Sequence, residues 1–352
     1  MNTKRFNLKR FKAKCFNVKF FNVIVVVVTF GIFLSFFLFH QGTESMMKAV
    51  RGLHLRWLLL AGAAMFLSWI CEMLALHTIL VSKLRIRSGL LRSLKFQMIG
   101  QFFGAISPFS AGSHPAQLYA MTKNGIPAGE AGSILMIKFM IHQVINIAIL
   151  IVSLLCMFRY FNAKVQYFSY LCGLGLAVHI GVLIVTVLFC ANPRLSGRLL
   201  AAVCGGLARV RLLKNAEAAR SKMERELIDF HRSASFLKQR LGMCVRASLF
   251  TLLQYAAFFS MPYFVYRSFG LHEADMWTML NAQIFLFNFM AVIPLPGAAG
   301  GAEGGFYFIY SLFFASNSIL PALFVWRILS YYASIAVSSL FTLLLPNAKS
   351  RS

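Results

Sequence analysis

Four ionisable side chains sit at membrane depth in apolar stretches of this chain: Glu72, Lys138, Glu303 and Arg327. A charge at the centre of a bilayer costs about 2.5–3.5 kcal/mol on insertion scales, so each needs a partner or a water-filled cavity. Glu303 follows Gly300-Gly301-Ala302 where a short helix should begin. There it is either a carboxylate favoured by the helix dipole or a cavity-lining group that binds a cation or takes up a proton. Arg327, in Leu323-Phe324-Val325-Trp326-Arg327-Ile328, can pair with Glu303. It can also grip a lipid phosphate, for which guanidinium is a bidentate ligand, or snorkel outward. Lys138 and His142 stand one turn apart, with Gln143 and Asn146 nearby. Lys138 either snorkels to the membrane surface or holds an anionic group. Ser107, Ser110, Ser113, His114, Gln117 and Tyr119 add a polar lining. All of this is binding and transport chemistry. The sequence carries no nucleophile elbow, P-loop, HExxH or dinucleotide fingerprint, so no catalytic residue and no cofactor are expected. Seven scattered cysteines without CxxC spacing offer neither a metal site nor a disulfide framework.

Two interruptions must position these groups. The first is Ile106-Ser107-Pro108-Phe109-Ser110-Ala111-Gly112-Ser113-His114-Pro115 and the second is Ile293-Pro294-Leu295-Pro296-Gly297-Ala298-Ala299-Gly300-Gly301-Ala302-Glu303. Pro108, Pro115, Pro294 and Pro296 break helices because proline lacks an N–H and clashes with the preceding turn. Gly112, Gly297, Gly300 and Gly301 allow tight turns there. Broken backbone survives in hydrocarbon only where protein buries it or a cavity hydrates it. A half-helix beginning at such a break presents unpaired N–H groups that suit a phosphate. Gly/Pro-interrupted segments at corresponding places in two halves of a chain point to a transporter's binding site near the midplane.

The rest of the chain is 59% hydrophobic, with 35 Lys+Arg against 10 Asp+Glu. Stretches long enough to span a bilayer, about 20 residues, occur at Phe20–Phe39, Trp57–Val81, Ile134–Phe158, Phe168–Phe189, Val245–Tyr266 and Leu320–Leu345. The chain therefore reads as an all-α, polytopic membrane protein. Basic residues cluster in Met1–Lys19, around Lys83–Lys95 and in Asn192–Cys244, which the positive-inside rule places in the cytoplasm. Helix parity then makes both broken segments, about 96–130 and 275–315, re-entrant hairpins approaching from opposite faces. That is the pattern of an inverted repeat. Two complete but short spans in each remain the alternative. The domain plan is a basic tail over 1–19, a membrane domain over 20–345 with a cytoplasmic insert over 192–244, and a cytoplasmic tail over 346–352. Glu217–Phe236 reads as an amphipathic helix lying on the membrane surface, and Leu84–Lys95 as another. The charge excess faces anionic phospholipids or serves topogenesis alone; nucleic acid is not expected.

At the two interruptions the chain resembles the transmembrane region of lysylphosphatidylglycerol synthase/flippase proteins. The matching residues are Pro108-Phe109-Ser110-Ala111-Gly112-Ser113-His114-Pro115-Ala116-Gln117-Leu118-Tyr119, then Pro294 through Gly304, then Trp326-Arg327 followed by Tyr331-Tyr332. Ser113-His114 stands where relatives commonly carry Gly-Gln, and Leu295 where Thr or Ser is usual. The resemblance implies a stand-alone lipid-translocating or lipid-handling domain and brings Tyr331 into the candidate set. It does not imply lysyl transfer, which belongs to a separate soluble domain for which this chain has no room.

The combined expectation is a flippase-like protein of the bacterial plasma membrane with both termini cytoplasmic. A polar headgroup would enter between the hairpins, with Glu303, Arg327, Lys138 and His142 supplying charge and Ser110, Gln117, Tyr119 and Tyr331 supplying polar contacts. Two rivals stand beside it: an ion-coupled small-solute transporter, and a non-transporting partner of an envelope-synthesis enzyme. The lipid, the energy source and the oligomeric state are not readable from the sequence.

Overall fold

The computed structural model describes residues 51–84, 89–198 and 240–344, together with 31, 201–202, 224–225 and 227–228. The basic tail, nearly all of the first apolar stretch, most of the amphipathic insert and the C-terminal tail lie outside the described residues. The body that begins at Leu53 is a compact unit, and its regular structure is helical throughout. Its helices are α1 (Leu55–Leu84), α2 (Leu90–Ala105), α3 (Ser113–Lys123), α4 (Ala128–Lys164), α5 (Phe168–Ala191), α6 (Leu241–Ser268), α7 (Met276–Met290), α8 (Gly301–Tyr310), α9 (Ile319–Arg327) and α10 (Ala333–Leu344).

Among the described residues, five helical stretches are long and apolar enough to cross a membrane: α1, α4, α5, α6 and the run Ile319–Thr342 through α9 and α10. They coincide with the five apolar stretches expected after the first. Lipid supplies no hydrophobic drive between such helices, so close packing must hold them. The most extensive contact is α1 on α6, and the buried residues of these helices include small ones, Ala61, Ala64, Ser68 and Ala75 on α1 and Ala247, Ala257 and Ser260 on α6. At one end of this contact Arg267 lies 4.6 Å over the Trp57 ring, clamping the two helices further.

Between the spans lie the two broken segments. In hairpin 1, α2 packs on α3 across a turn at Pro108–Ser110. In hairpin 2, α7 packs on α8 across a turn at Pro296–Ala298. These helices contain 16, 11, 15 and 10 residues. At 1.5 Å per residue that is about 15–24 Å, short of the roughly 30 Å hydrocarbon core. Hairpin 1 begins at Leu90 rather than near Phe96. No proline lies between Gly89 and Pro108, and Ser93 and Lys95 are buried; residues 85–88 of the expected surface helix lie outside the described residues. Hairpin 2 starts where Asp275 accepts from the Thr278 backbone N–H at 2.9 Å, a conventional N-cap.

The two turns share one backbone design. Ser107 and Leu295 are extended, at φ −115°, ψ 147° and φ −122°, ψ 150°. A proline follows each. Next come two left-handed residues, Phe109 and Ser110 in one turn and Gly297 and Ala298 in the other, at φ 52°, 55°, 58° and 52°. Three of these four are not glycine, although the left-handed region disfavours L side chains. The turns also touch each other, so the hairpins meet tip to tip.

Candidate functional site

Among the described residues, Glu72 with Lys138 and Glu303 with Arg327 form two ion pairs beside the hairpins. At hairpin 2, the break at Gly300 and Gly301 starts α8 and sets Glu303 in its first turn. One Glu303 oxygen accepts from the Gly300 N–H at 2.6 Å. The other accepts from Arg327 Nε at 2.6 Å. The dipole-capping and ion-pair readings of this carboxylate therefore both hold. Arg327 is only 2% exposed, so the snorkelling alternative does not. Its Nη2 donates to the Gly297 carbonyl at 2.8 Å, which ties the last span to the hairpin turn.

A π-helical turn, Ile328–Tyr332, follows Arg327 directly. Such turns interrupt α-helices chiefly at functional sites. Here it carries Tyr331, whose ring lies 4.9 Å from the Arg327 guanidinium. The Tyr331 hydroxyl donates to the Ala105 carbonyl of hairpin 1 at 3.0 Å. Its ring also covers Gly297 so closely that a Cβ there would collide with it. Tyr331 thus bridges both hairpins. Phe306 and Trp326, with ring centroids 4.9 Å apart, hold α8 against α9 behind the ion pair.

At hairpin 1, Lys138 is 4% exposed and does not reach the membrane surface. Its ammonium donates to Glu72 at 3.0 Å and to Gln97 Oε1 at 2.6 Å. Gln117 donates to the same Gln97 oxygen at 3.4 Å. His142, one turn along α4 from Lys138, meets the Tyr255 ring at 5.8 Å. His114 of α3 packs edge-on to Phe139 at 5.3 Å. The cluster joins α1, α2, α3, α4 and α6.

Not every expected residue reaches these clusters. Tyr119 is exposed and lies under Lys123, 5.6 Å from its ammonium. Ser110 is exposed within the turn. Ser107 instead shapes the tip, accepting from the Gly112 N–H at 2.8 Å. Gly112 packs so tightly on Phe103 and Ser107 that a Cβ would not fit. Gln97 had no sequence signal, since a glutamine in an apolar stretch stands out little. Glu72 did have one: two acids and two cations at membrane depth must pair somehow, but the sequence did not say which with which.

A third polar contact joins α4 to hairpin 2, where Asn146 donates to Asn288 at 2.9 Å. Asn288 also borders an otherwise apolar cavity of about 240 Å³ between α4, α5 and hairpin 2. Leu150, Phe168, Phe285, Gly304 and Gly305 line it. The cavity and the Glu303–Arg327 pair therefore flank the same ten-residue half-helix.

Residues 22–338 match the family described as the lysylphosphatidylglycerol synthase TM region. The chain belongs to that family. It is also 24% identical over 290 residues to a UPF0104 membrane protein of Archaeoglobus fulgidus, covering 79% of this chain and 84% of that protein. The family model covers α1 to α9, both hairpins and the first half of α10, so both charge pairs fall inside the matched region. With five apolar spans beside it, family membership makes this a multi-pass membrane protein.

Proposed function

We propose that this chain moves, or helps to move, a polar lipid headgroup across a membrane, and that it acts as a carrier rather than an enzyme. The hairpins are read as re-entrant, entering from opposite faces. The headgroup passes between their tips while the acyl chains stay in lipid. The observation that carries this reading is the junction of the two turns. Arg327 binds the Gly297 carbonyl and Glu303 in hairpin 2, and Tyr331 binds the Ala105 carbonyl in hairpin 1. A headgroup phosphate that competes for Arg327 would loosen one half of this bridge, which couples binding to hairpin separation. The apolar cavity beside Gly304 offers room for part of an acyl chain next to the polar junction, which fits a lipid.

The basic balance fits contact with anionic phospholipids and placement in a bacterial plasma membrane with both termini cytoplasmic. An envelope-synthesis partner would dock on the basic 192–244 insert. The test is headgroup accessibility in proteoliposomes holding purified protein and a panel of labelled phospholipids. The expected result is faster transbilayer movement of one headgroup class than in protein-free vesicles. Uptake of a water-soluble solute with no lipid movement would replace this reading with a solute carrier.

A further inference from the structure

Hairpin 1 holds more titratable chemistry than an ion pair needs. Glu72 and Lys138 are 3.0 Å apart and cancel each other's charge. Lys138 spends a further hydrogen bond on Gln97. Around this pair three buried polar atoms have no hydrogen-bond partner: His114 Nδ1, His142 Nε2 and Gln117 Oε1. Gln117 is 1% exposed. An orphaned buried polar group costs about 1–3 kcal/mol, so three in one cluster are an expensive arrangement unless something binds them. The titratable groups facing the pair are His142 from α4, His114 from α3 and Tyr255 from α6; α2 contributes the neutral Gln97.

As it stands the cluster is neutral and has no charge free for an anion. Adding one proton to an imidazole changes this. The proton creates a net positive charge in a dry site, which is unfavourable by several kcal/mol while it has no counter-ion. An anion entering the neutral cluster meets the mirror-image penalty. Together the two remove both penalties, so each raises the affinity for the other. Phosphate suits the site because its oxygens can accept from a protonated imidazole and from the remaining N–H of the Lys138 ammonium, whereas Gln117 Oε1, an acceptor, can be satisfied only by a donor such as the imidazolium. Arg327 at hairpin 2 is differently placed. Both its contacts are made within the fold, and the aromatic groups beside it are Trp326 and Tyr331 rather than histidines.

We infer that the hairpin 1 cluster is a proton-linked phosphate site, taking up one proton on the His114–His142 pair together with one phosphate group. This rests on the lipid reading only for the phosphate's being part of a headgroup. If it is, a proton gradient drives headgroup entry.

The test is calorimetric titration of the purified full chain at several pH values, with inorganic phosphate in one arm and short-chain phosphatidylglycerol in the other. Two buffers of different ionisation enthalpy count the protons taken up. For at least one ligand, affinity should rise about tenfold for each pH unit lowered through the imidazole range, the slope of one linked proton. Binding in both arms assigns the site to phosphate at large, and binding of phosphatidylglycerol alone assigns it to a headgroup. The double substitution His114→Gln/His142→Gln should flatten the slope in protein shown to be folded by circular dichroism, a check needed because it also removes the ring contacts to Phe139 and Tyr255. Glu72→Gln, which frees Lys138, should strengthen binding at alkaline pH. Affinity independent of pH in folded wild-type protein, or no binding of either ligand, would overturn the inference. Proton-linked phosphate binding without lipid movement in vesicles would keep this site and remove the lipid reading. Lipid movement without proton linkage would do the reverse.

Discussion

At the scale of residues, the behaviour of the Glu303–Arg327 pair depends on which partner is left behind. Removing one member of a buried pair costs about 3–5 kcal/mol because the other charge remains uncompensated. Arg327 is far more deeply buried than Glu303, whose side chain is 21% exposed. Glu303→Gln should therefore destabilise the protein more than Arg327→Gln, and the double substitution should cost less than the sum of the two. Thermal unfolding in detergent, arranged as a double-mutant cycle, measures this; equal and additive effects would mean the pair is energetically idle. Gly297 gives a second residue-scale prediction. It stands at φ 58° with the Tyr331 ring against it. Gly297→Ala should lower stability by about 1–3 kcal/mol, and adding Tyr331→Ala should restore part of that loss. These positions were partly legible in the sequence, since charge at membrane depth marks Glu303, Arg327, Lys138 and Glu72 by its cost alone. The pairing of Lys138 with Glu72 rather than with a ligand was not legible, because it depends on how α1, α2 and α4 meet. Tyr119 shows the opposite failure: adjacent in sequence to a buried lining, it faces outward because a helix turns about 100° per residue.

At the scale of elements, the two turns share one backbone design. Proline spacing placed both breaks, and the shared run of an extended residue, proline and two left-handed residues follows at both. The sequence hid the correspondence because Phe109 occupies the position that Gly297 fills in the other turn. Phe109 is 61% exposed and gains little from packing. Phe109→Gly should leave the fold intact and raise stability by up to about 1 kcal/mol through relief of the left-handed conformation. A clear loss of stability on chemical unfolding would show that the Phe109 ring is held by contacts the turn geometry does not explain. The π-helical turn was also invisible beforehand, since Ile328–Tyr332 reads as ordinary apolar helix. Deleting Leu329 should restore a regular α-helix and misalign Arg327 with Tyr331. Circular dichroism should then show unchanged helicity, while lipid movement is lost.

At the scale of the whole molecule, the spans accompany two hairpins whose individual helices are shorter than the hydrocarbon core. The spans were the most legible part of the sequence, because about 20 apolar residues in a row have one common outcome in a membrane. The packing order was not legible, since lipid-facing and protein-facing surfaces are equally apolar and small residues set the contacts. The cavity between α4, α5 and hairpin 2 belongs to this scale. Gly304 opens onto it, with nothing within 4 Å of a built Cβ. Gly304→Leu should fold normally and slow lipid movement by filling the space an acyl chain would use. The step proposed above is passage of a lipid headgroup between the joined hairpin tips. The most direct measurement is the initial rate of labelled-phospholipid movement in proteoliposomes, for wild-type protein and for Glu303→Gln at equal density, with folding checked by circular dichroism. The wild-type protein should accelerate movement, and the variant should give a rate near that of empty vesicles. Equal rates for the two folded proteins would contradict the proposed step.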